Sequence, residues 1–100
     1  MALAGAELLL YPTAIGWDMR DADDERERQR DAWLTVQRAH AVANGLPVLA
    51  CNRVGFEASP QPGDPGIRFW GHSFACGPQG EWLARAGDRA QTLLVDLDLA

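Results

Sequence analysis

The chain has 100 residues, of which 47% are hydrophobic, 23% charged and 8% aromatic, a composition that suits one globular domain and excludes a two-domain enzyme or a disordered segment. Its net charge is −5 and its pI about 4.8, which disfavours broad binding to nucleic-acid phosphates. No apolar run approaches the roughly 18 residues of a membrane span, and the opening MALAGAELLLYP lacks the basic region of a secretory signal, so the expected setting is soluble and cytoplasmic.

The first six residues, MALAGA, are good helix formers but too few for a stable helix. They read as the last turns of a helix, with Gly5 offering a stop. Glu7 to Tyr11 is a continuous apolar run that predicts a strand buried on both faces, closed by Pro12. Residues 13–27 are expected to be loop, and acids crowd its end at Asp18, Asp21, Asp23, Asp24, Glu25 and Glu27. Such acids favour the N-terminus of a following helix. That helix is predicted over Arg28–Asn44, where Trp33, Val36, His40 and Ala43 recur at spacings of three and four. Asn44-Gly45 supplies its cap, with Pro47 just beyond.

Pro47 to Asn52 predicts a second buried strand, and Arg53 to Gly66 a loop rich in proline and glycine. Ile67–Trp70 and His72–Cys76 read as strand segments broken at Gly71. Gly77-Pro78-Gln79-Gly80 predicts a tight turn into an alternating hairpin strand over Glu81–Ala86. Ala90–Leu99 is expected to be a last strand, with Leu93, Val95 and Leu97 on one face. A strand-helix-strand unit followed by an antiparallel run is an α/β arrangement, and both ends look cut.

All nine basic residues are arginine, and the chain contains no lysine. Chemistry that needs a lysine cannot be carried by these residues alone. Cys51 and Cys76 match no zinc or redox spacing, and read as small buried hydrophobes on strands. Cys51, with His40 or His72 as base, would be a nucleophile only in a pairing motif that the sequence lacks. The acidic cluster over 21–27 likewise lacks metal-ligand spacing and reads as a solvated face.

Four strings stand out in order: GAELLLYPTAIGWD, RDAWLTVQRAHAVANGLPVLACNRVG, FWGHSFACGPQGEWLARAG and LLVDLDL. Together they resemble the C-terminal half of the carbon–nitrogen hydrolase (nitrilase) superfamily, nearest its N-carbamoylputrescine amidohydrolase branch. The resemblance covers essentially the whole chain. It implies a fragment of an α-β-β-α sandwich, with residues 1–100 as a partial domain whose N-terminal half and extreme C-terminus lie elsewhere. It also implies catalysis by a glutamate, a lysine and a cysteine. The cysteine thiolate attacks an amide, carbamoyl or nitrile carbon, the glutamate acts as general base and the lysine steadies the oxyanion. All three fall outside this chain, so the chain alone is expected to be inactive.

Roles transfer only to matching positions. Thr13, Ala14 and Ile15 follow the first strand, where similar enzymes line the substrate pocket. Asp18 resembles an acidic position that meets a substrate's distal amine, although a plain solvated carboxylate fits the residue equally well. Asn52 and Arg53 match a strand end at the pocket rim, where they either order loops or touch substrate. Charge, hydropathy and spacing point to no cofactor, no metal, no nucleic acid and no membrane partner, and the resemblance implies a small amide or carbamoyl substrate. It further implies a homo-oligomer through residues 1–4 and the helix Arg28–Asn44. That helix carries Leu34, Ala41 and Val42 off its main stripe, a second apolar strip that suits either a partner or burial beneath the rest of the domain. The competing function is a non-catalytic remnant or interaction module that keeps the fold.

Overall fold

The structure is a computed structural model that describes residues 5–97. The expected helix tail over 1–4, with its oligomer contact, and positions 98–100 of the expected last strand lie outside the described residues. Among the described residues eight elements follow one another: β1 (Leu9–Thr13), β2 (Gly16–Asp18), α1 (Asp23–Asn44), β3 (Val48–Asn52), β4 (Val54–Glu57), β5 (Ile67–Trp70), β6 (Phe74–Cys76) and β7 (Trp82–Arg85). They form a four-stranded sheet in the order β1-β3-β6-β7 and a three-stranded sheet in the order β2-β5-β4.

In the larger sheet β1 and β3 run parallel, with Leu9 opposite Val48 and Thr13 opposite Asn52. The connection between these parallel strands runs through β2 and α1, the helical crossover that parallel neighbours require. β6 and β7 then add antiparallel to β3. The apolar core sits between this sheet and the helix: Leu9, Val48, Ala50, Phe74 and Cys76 meet Leu34 and Ala41, with Trp33, Tyr11 and Trp82 packed at the margin. Phase along the helix decides which stripe is buried. Leu34 and Ala41 lie one heptad apart on the sheet side, whereas Val36 is about 200° around the helix from Leu34 and is 53% exposed.

Several expectations change accordingly. The helix starts at Asp23 rather than Arg28, because Asp23, Asp24 and Glu25 form its first turn and meet the positive end of its dipole. Its buried stripe keeps Trp33 but runs through Leu34 and Ala41, while Val36 and Ala43 face outward and His40, though exposed, stands edge-on against Tyr11 at the border of β1. Two apolar stripes on one helix have the same period, so periodicity alone does not say which one meets the sheet. The helix end matches expectation. Gly45 adopts a left-handed φ of 64° and its N–H caps Ala41 O.

β1 begins two residues later than expected and includes Pro12, which an edge strand tolerates on its unpaired side. It is buried on one face only, and Leu10 is 62% exposed. The expected loops over 13–27 and 53–66 contain β2 and β4, both hydrogen-bonded to β5. Gly16 fits between these strands because a side chain there would strike Arg68 O. Residues 90–97 join no ladder. They cross the open face of the larger sheet, where Leu93 and Val95 lie over Leu49 and Ala75. The expected alternation survives as half-buried Leu93, Val95 and Leu97 against exposed Leu94 and Asp96, but without a strand partner.

Candidate functional site

The C-terminal ends of parallel β1 and β3 and the start of antiparallel β6 share one end of the larger sheet. Strand ends of this kind are where open α/β sheets place ligands. Thr13, the last residue of β1, donates its hydroxyl to Cys51 O at 2.9 Å and lies 3.1 Å from Asn52 Oδ1. Asn52, the last residue of β3, receives the Ile15 N–H on Oδ1 at 2.9 Å. Its Nδ2 donates to Ile15 O at 3.1 Å and to Gly71 O at 3.0 Å. Its backbone N–H donates to Ser73 Oγ at 2.8 Å. Three chain segments therefore meet around one carboxamide.

Gly71 and His72 turn the chain from β5 into β6. Both adopt left-handed φ, 62° and 58°, a costly conformation for histidine. The corner is held from several sides: His72 N–H donates to Gly87 O at 2.9 Å, and Gly71 N–H to Arg53 O at 3.0 Å. The His72 ring turns back, with Nδ1 2.5 Å from Trp70 O. A side chain at Gly71 would meet Gly87 O and Val54, so the close approach itself calls for glycine.

Beside this junction, a cleft of about 390 Å³ runs along the open face of the larger sheet, between Leu49, Cys51, Asn52, Ser73 and Ala75 on one side and Gln91, Thr92, Leu93 and Val95 on the other. Of the five expected site residues, Thr13, Ile15 and Asn52 are brought together by hydrogen bonds. Ala14 lies exposed between the first two. Asp18 stands apart at the far end of β2, opposite Ile67. Its carboxylate takes a paired contact from the Arg20 guanidinium, at 2.6 Å to Nη2 and 3.0 Å to Nε, and also accepts the Arg20 N–H at 2.9 Å. Those bonds and the arginine's charge lower its pKa to about 2. Arg53 stacks over Phe69 and pairs with Glu57 at 2.7 Å.

Sequence reasoning missed Gly71, His72 and Ser73 as members of this junction. The break at Gly71 was a visible signal, but nothing local tells that Ser73 receives a backbone N–H from a strand 21 residues earlier. The thiols divide. Cys76 is buried as expected, whereas Cys51 is exposed on the cleft wall. The reason is alternation along β3 and β6: Cys76 faces the helix and Cys51 the open side. Among the described residues no group of three or more His, Cys, Asp or Glu is placed to hold a metal ion, and no helix is long and apolar enough to cross a membrane.

A family model described as carbon–nitrogen hydrolase matches residues 1–100. An N-carbamoylputrescine amidase from Solanum tuberosum is 46% identical over 102 residues, a match that takes in 98% of this chain and 33% of the relative. A citrullinase from Francisella tularensis is 42% identical over 94% of this chain and 31% of its own length. The crystal structure of a carbon–nitrogen hydrolase from Helicobacter pylori G27 superposes with a TM-score of 0.96 at 51% identity, covering 99% of this chain and 34% of that one. The chain thus spans about a third of the length of the curated relatives it matches.

Proposed function

The chain belongs to the carbon–nitrogen hydrolase family, and from that premise we propose that it forms the strand-end rim of the substrate pocket in a hydrolase of linear amide or carbamoyl C–N bonds. The observation that carries this is the polar junction at the ends of β1, β3 and β6, in a fold that superposes on a carbon–nitrogen hydrolase at a TM-score of 0.96. N-carbamoylputrescine is the leading substrate, since relatives named for that activity match across almost the whole chain. The citrullinase relative carries the same inference at the level of chemistry, because citrulline and N-carbamoylputrescine share a ureido group. Attack by a cysteine thiolate on the carbamoyl carbon would expel one amine, and water would then release the carbamoyl group. With N-carbamoylputrescine the products are putrescine, carbon dioxide and ammonia.

In this proposal the glutamate, lysine and cysteine lie in a part of the domain outside this chain, which has no lysine to offer. Thr13, Ala14 and Ile15 supply the rim and Asn52 its junction. Asp18 holds an ionised carboxylate further along β2, already answered by Arg20, so a cationic substrate tail would have to compete with that guanidinium. The part of the larger sheet's open face at the edge strand β1, where Leu10 is 62% exposed, suits a sandwich layer packed further by the rest of the domain. The outward face of α1, on which Val36 and Val42 stand about 120° apart and are 53% and 57% exposed, is proposed as the homo-oligomer contact. The positions expected for it, Leu34 and Ala41, are core instead.

The test is expression of the reading frame extended upstream, with ammonia release assayed on N-carbamoylputrescine, citrulline and a linear ω-amide. Turnover of a ureido substrate by the extended protein, and none by the 100-residue chain, is the expected result. The second reading, a non-catalytic module, is favoured by the absence of lysine. It prevails if the extended frame also lacks a lysine and a cysteine before residue 5, or if the extended protein turns over none of the three.

A further inference from the structure

The carboxamide of Asn52 occupies a position that only this side chain fills. Ile15 presents both its N–H and its C=O to the one amide, so Oδ1 accepts while Nδ2 donates, at 2.9 and 3.1 Å. The pairing imitates one rung of a β-ladder, with a side chain in place of a backbone. The second Nδ2 proton goes to Gly71 O and the second Oδ1 lone pair lies at Thr13 Oγ1. Both Nδ2 protons and one Oδ1 lone pair are committed to backbone groups, and the other lone pair is covered by the Thr13 hydroxyl, whose single proton it shares with Cys51 O, so the amide has no donor to offer a substrate atom. Aspartate has no donor for the two carbonyls, glutamine is one methylene too long, and serine has a single proton.

The location gives the pairing its consequence. Ile15 immediately precedes β2, Gly71 immediately follows β5, and Asn52 ends β3. One side chain therefore joins the smaller sheet to the larger at the pocket rim. We infer that Asn52 is a positioning residue that fixes the Thr13–Ile15 rim against the Gly71–Ser73 corner without itself touching substrate. This deepens the rim assignment proposed above and rests on it.

The test combines amide hydrogen exchange on this chain with steady-state kinetics of Asn52→Ala and Asn52→Asp in the complete hydrolase on N-carbamoylputrescine. Asn52→Ala is expected to speed exchange of the Ile15 N–H roughly tenfold, while amides of β3 and β6 keep their protection. Asn52→Asp retains the acceptor, so the Ile15 N–H stays protected while the N–H of His72 exchanges faster as the corner loosens. In kinetics, KM should rise about tenfold in Asn52→Ala with kcat within about twofold, the mark of a displaced contact surface. A risen KM with unchanged Ile15 exchange in Asn52→Ala would make Asn52 a direct substrate contact and overturn the inference. So would loss of protection across β1, β3 and β6 in both variants, which would make the residue a general structural one. If the unmodified hydrolase turns over no ureido substrate, the functional proposal fails, and the exchange arm alone decides whether the clamp exists.

Discussion

The two sheets of this chain are held by different physics. The larger one buries Val48, Ala50, Phe74 and Cys76 under a 22-residue helix. The smaller one buries chiefly Phe69 and Trp70, leaving Phe56 and Ile67 nearly half exposed. It is tied instead by specific contacts. Trp17 Nε1 donates to Arg26 O at 2.8 Å, the Arg26 guanidinium grips Met19 O and Asp21 O, and Trp70 is packed between Trp17 and Trp33. Area-driven burial tolerates imprecision, whereas each directional tie depends on one atom. The larger sheet should therefore fail only through its core, and the smaller one through single contacts.

The largest effect should come from the helix face. Ala41 is fully buried and Val42, its neighbour, is 57% exposed. Ala41→Glu places an unpaired charge in the core and should cost more than about 3 kcal/mol, enough to lose the cooperative circular dichroism transition. Val42→Glu should change stability by no more than about 0.5 kcal/mol. In a complete hydrolase it should also shift light scattering toward monomer, if the outward face of α1 is the contact. Equal losses in the two variants would mean that the assignment of stripes is wrong.

The second effect isolates the smaller sheet. A methyl at Gly16 would approach Arg68 C at 2.8 Å, with Arg68 O closer still, so Gly16→Ala must push β2 away from β5. The expected cost is about 1–3 kcal/mol, with faster amide exchange confined to β2 and β5. Loss of protection in β3 and β6 as well would show that the sheets do not separate energetically.

The same contrast explains what the sequence revealed. Leu9–Tyr11 and Val48–Cys51 are apolar runs, and Trp82–Arg85 alternates after a Gly-Pro turn, so the larger sheet could be placed to within two residues. Gly16-Trp17-Asp18 and Val54-Gly55-Phe56-Glu57 are too short and too mixed in polarity to carry a period, so both read as loop in the sequence. The last segment failed for the opposite reason. Leu93, Val95 and Leu97 alternate well, but alternation reports a half-buried extended chain and not the presence of a ladder partner. At the site, the strings around Thr13–Ile15 and Asn52 marked the rim, while the bonds that join them span 37 residues and leave no local trace.

The two faces of the larger sheet can be read through its thiols. Cys51 is exposed on the open face, whereas Cys76 is fully buried and burial raises its pKa. Both effects reduce the thiolate fraction and access on which reactivity depends. An aromatic disulfide reagent at pH 8 should titrate one thiol rapidly in the folded chain and the second only on unfolding. Cys51→Ser should abolish the fast phase and leave the slow one. Two fast thiols would indicate that the helix does not stay on the sheet.

The smallest effect belongs to the ion pair at the edge of the smaller sheet. Asp18 has a folded pKa of about 2 against an ordinary 3.8, lowered first by the side-chain bonds from Arg20 and then by its backbone N–H. A depressed carboxylate stabilises the folded state above its unfolded pKa, and the contribution fades as pH falls through the folded value. The window is therefore pH 3.8 down to about 2. The partners are 41% and 65% exposed, so the pair is screened by water and salt and the gain is small. In urea unfolding, the stability gap between the native chain and Asp18→Asn should be constant above about pH 5, close through that window and shrink with added salt. A gap that persists unchanged at pH 2 would show that Asp18 acts through its backbone turn with Arg20 rather than through its charge, and the smaller sheet would then lose one of its directional electrostatic ties.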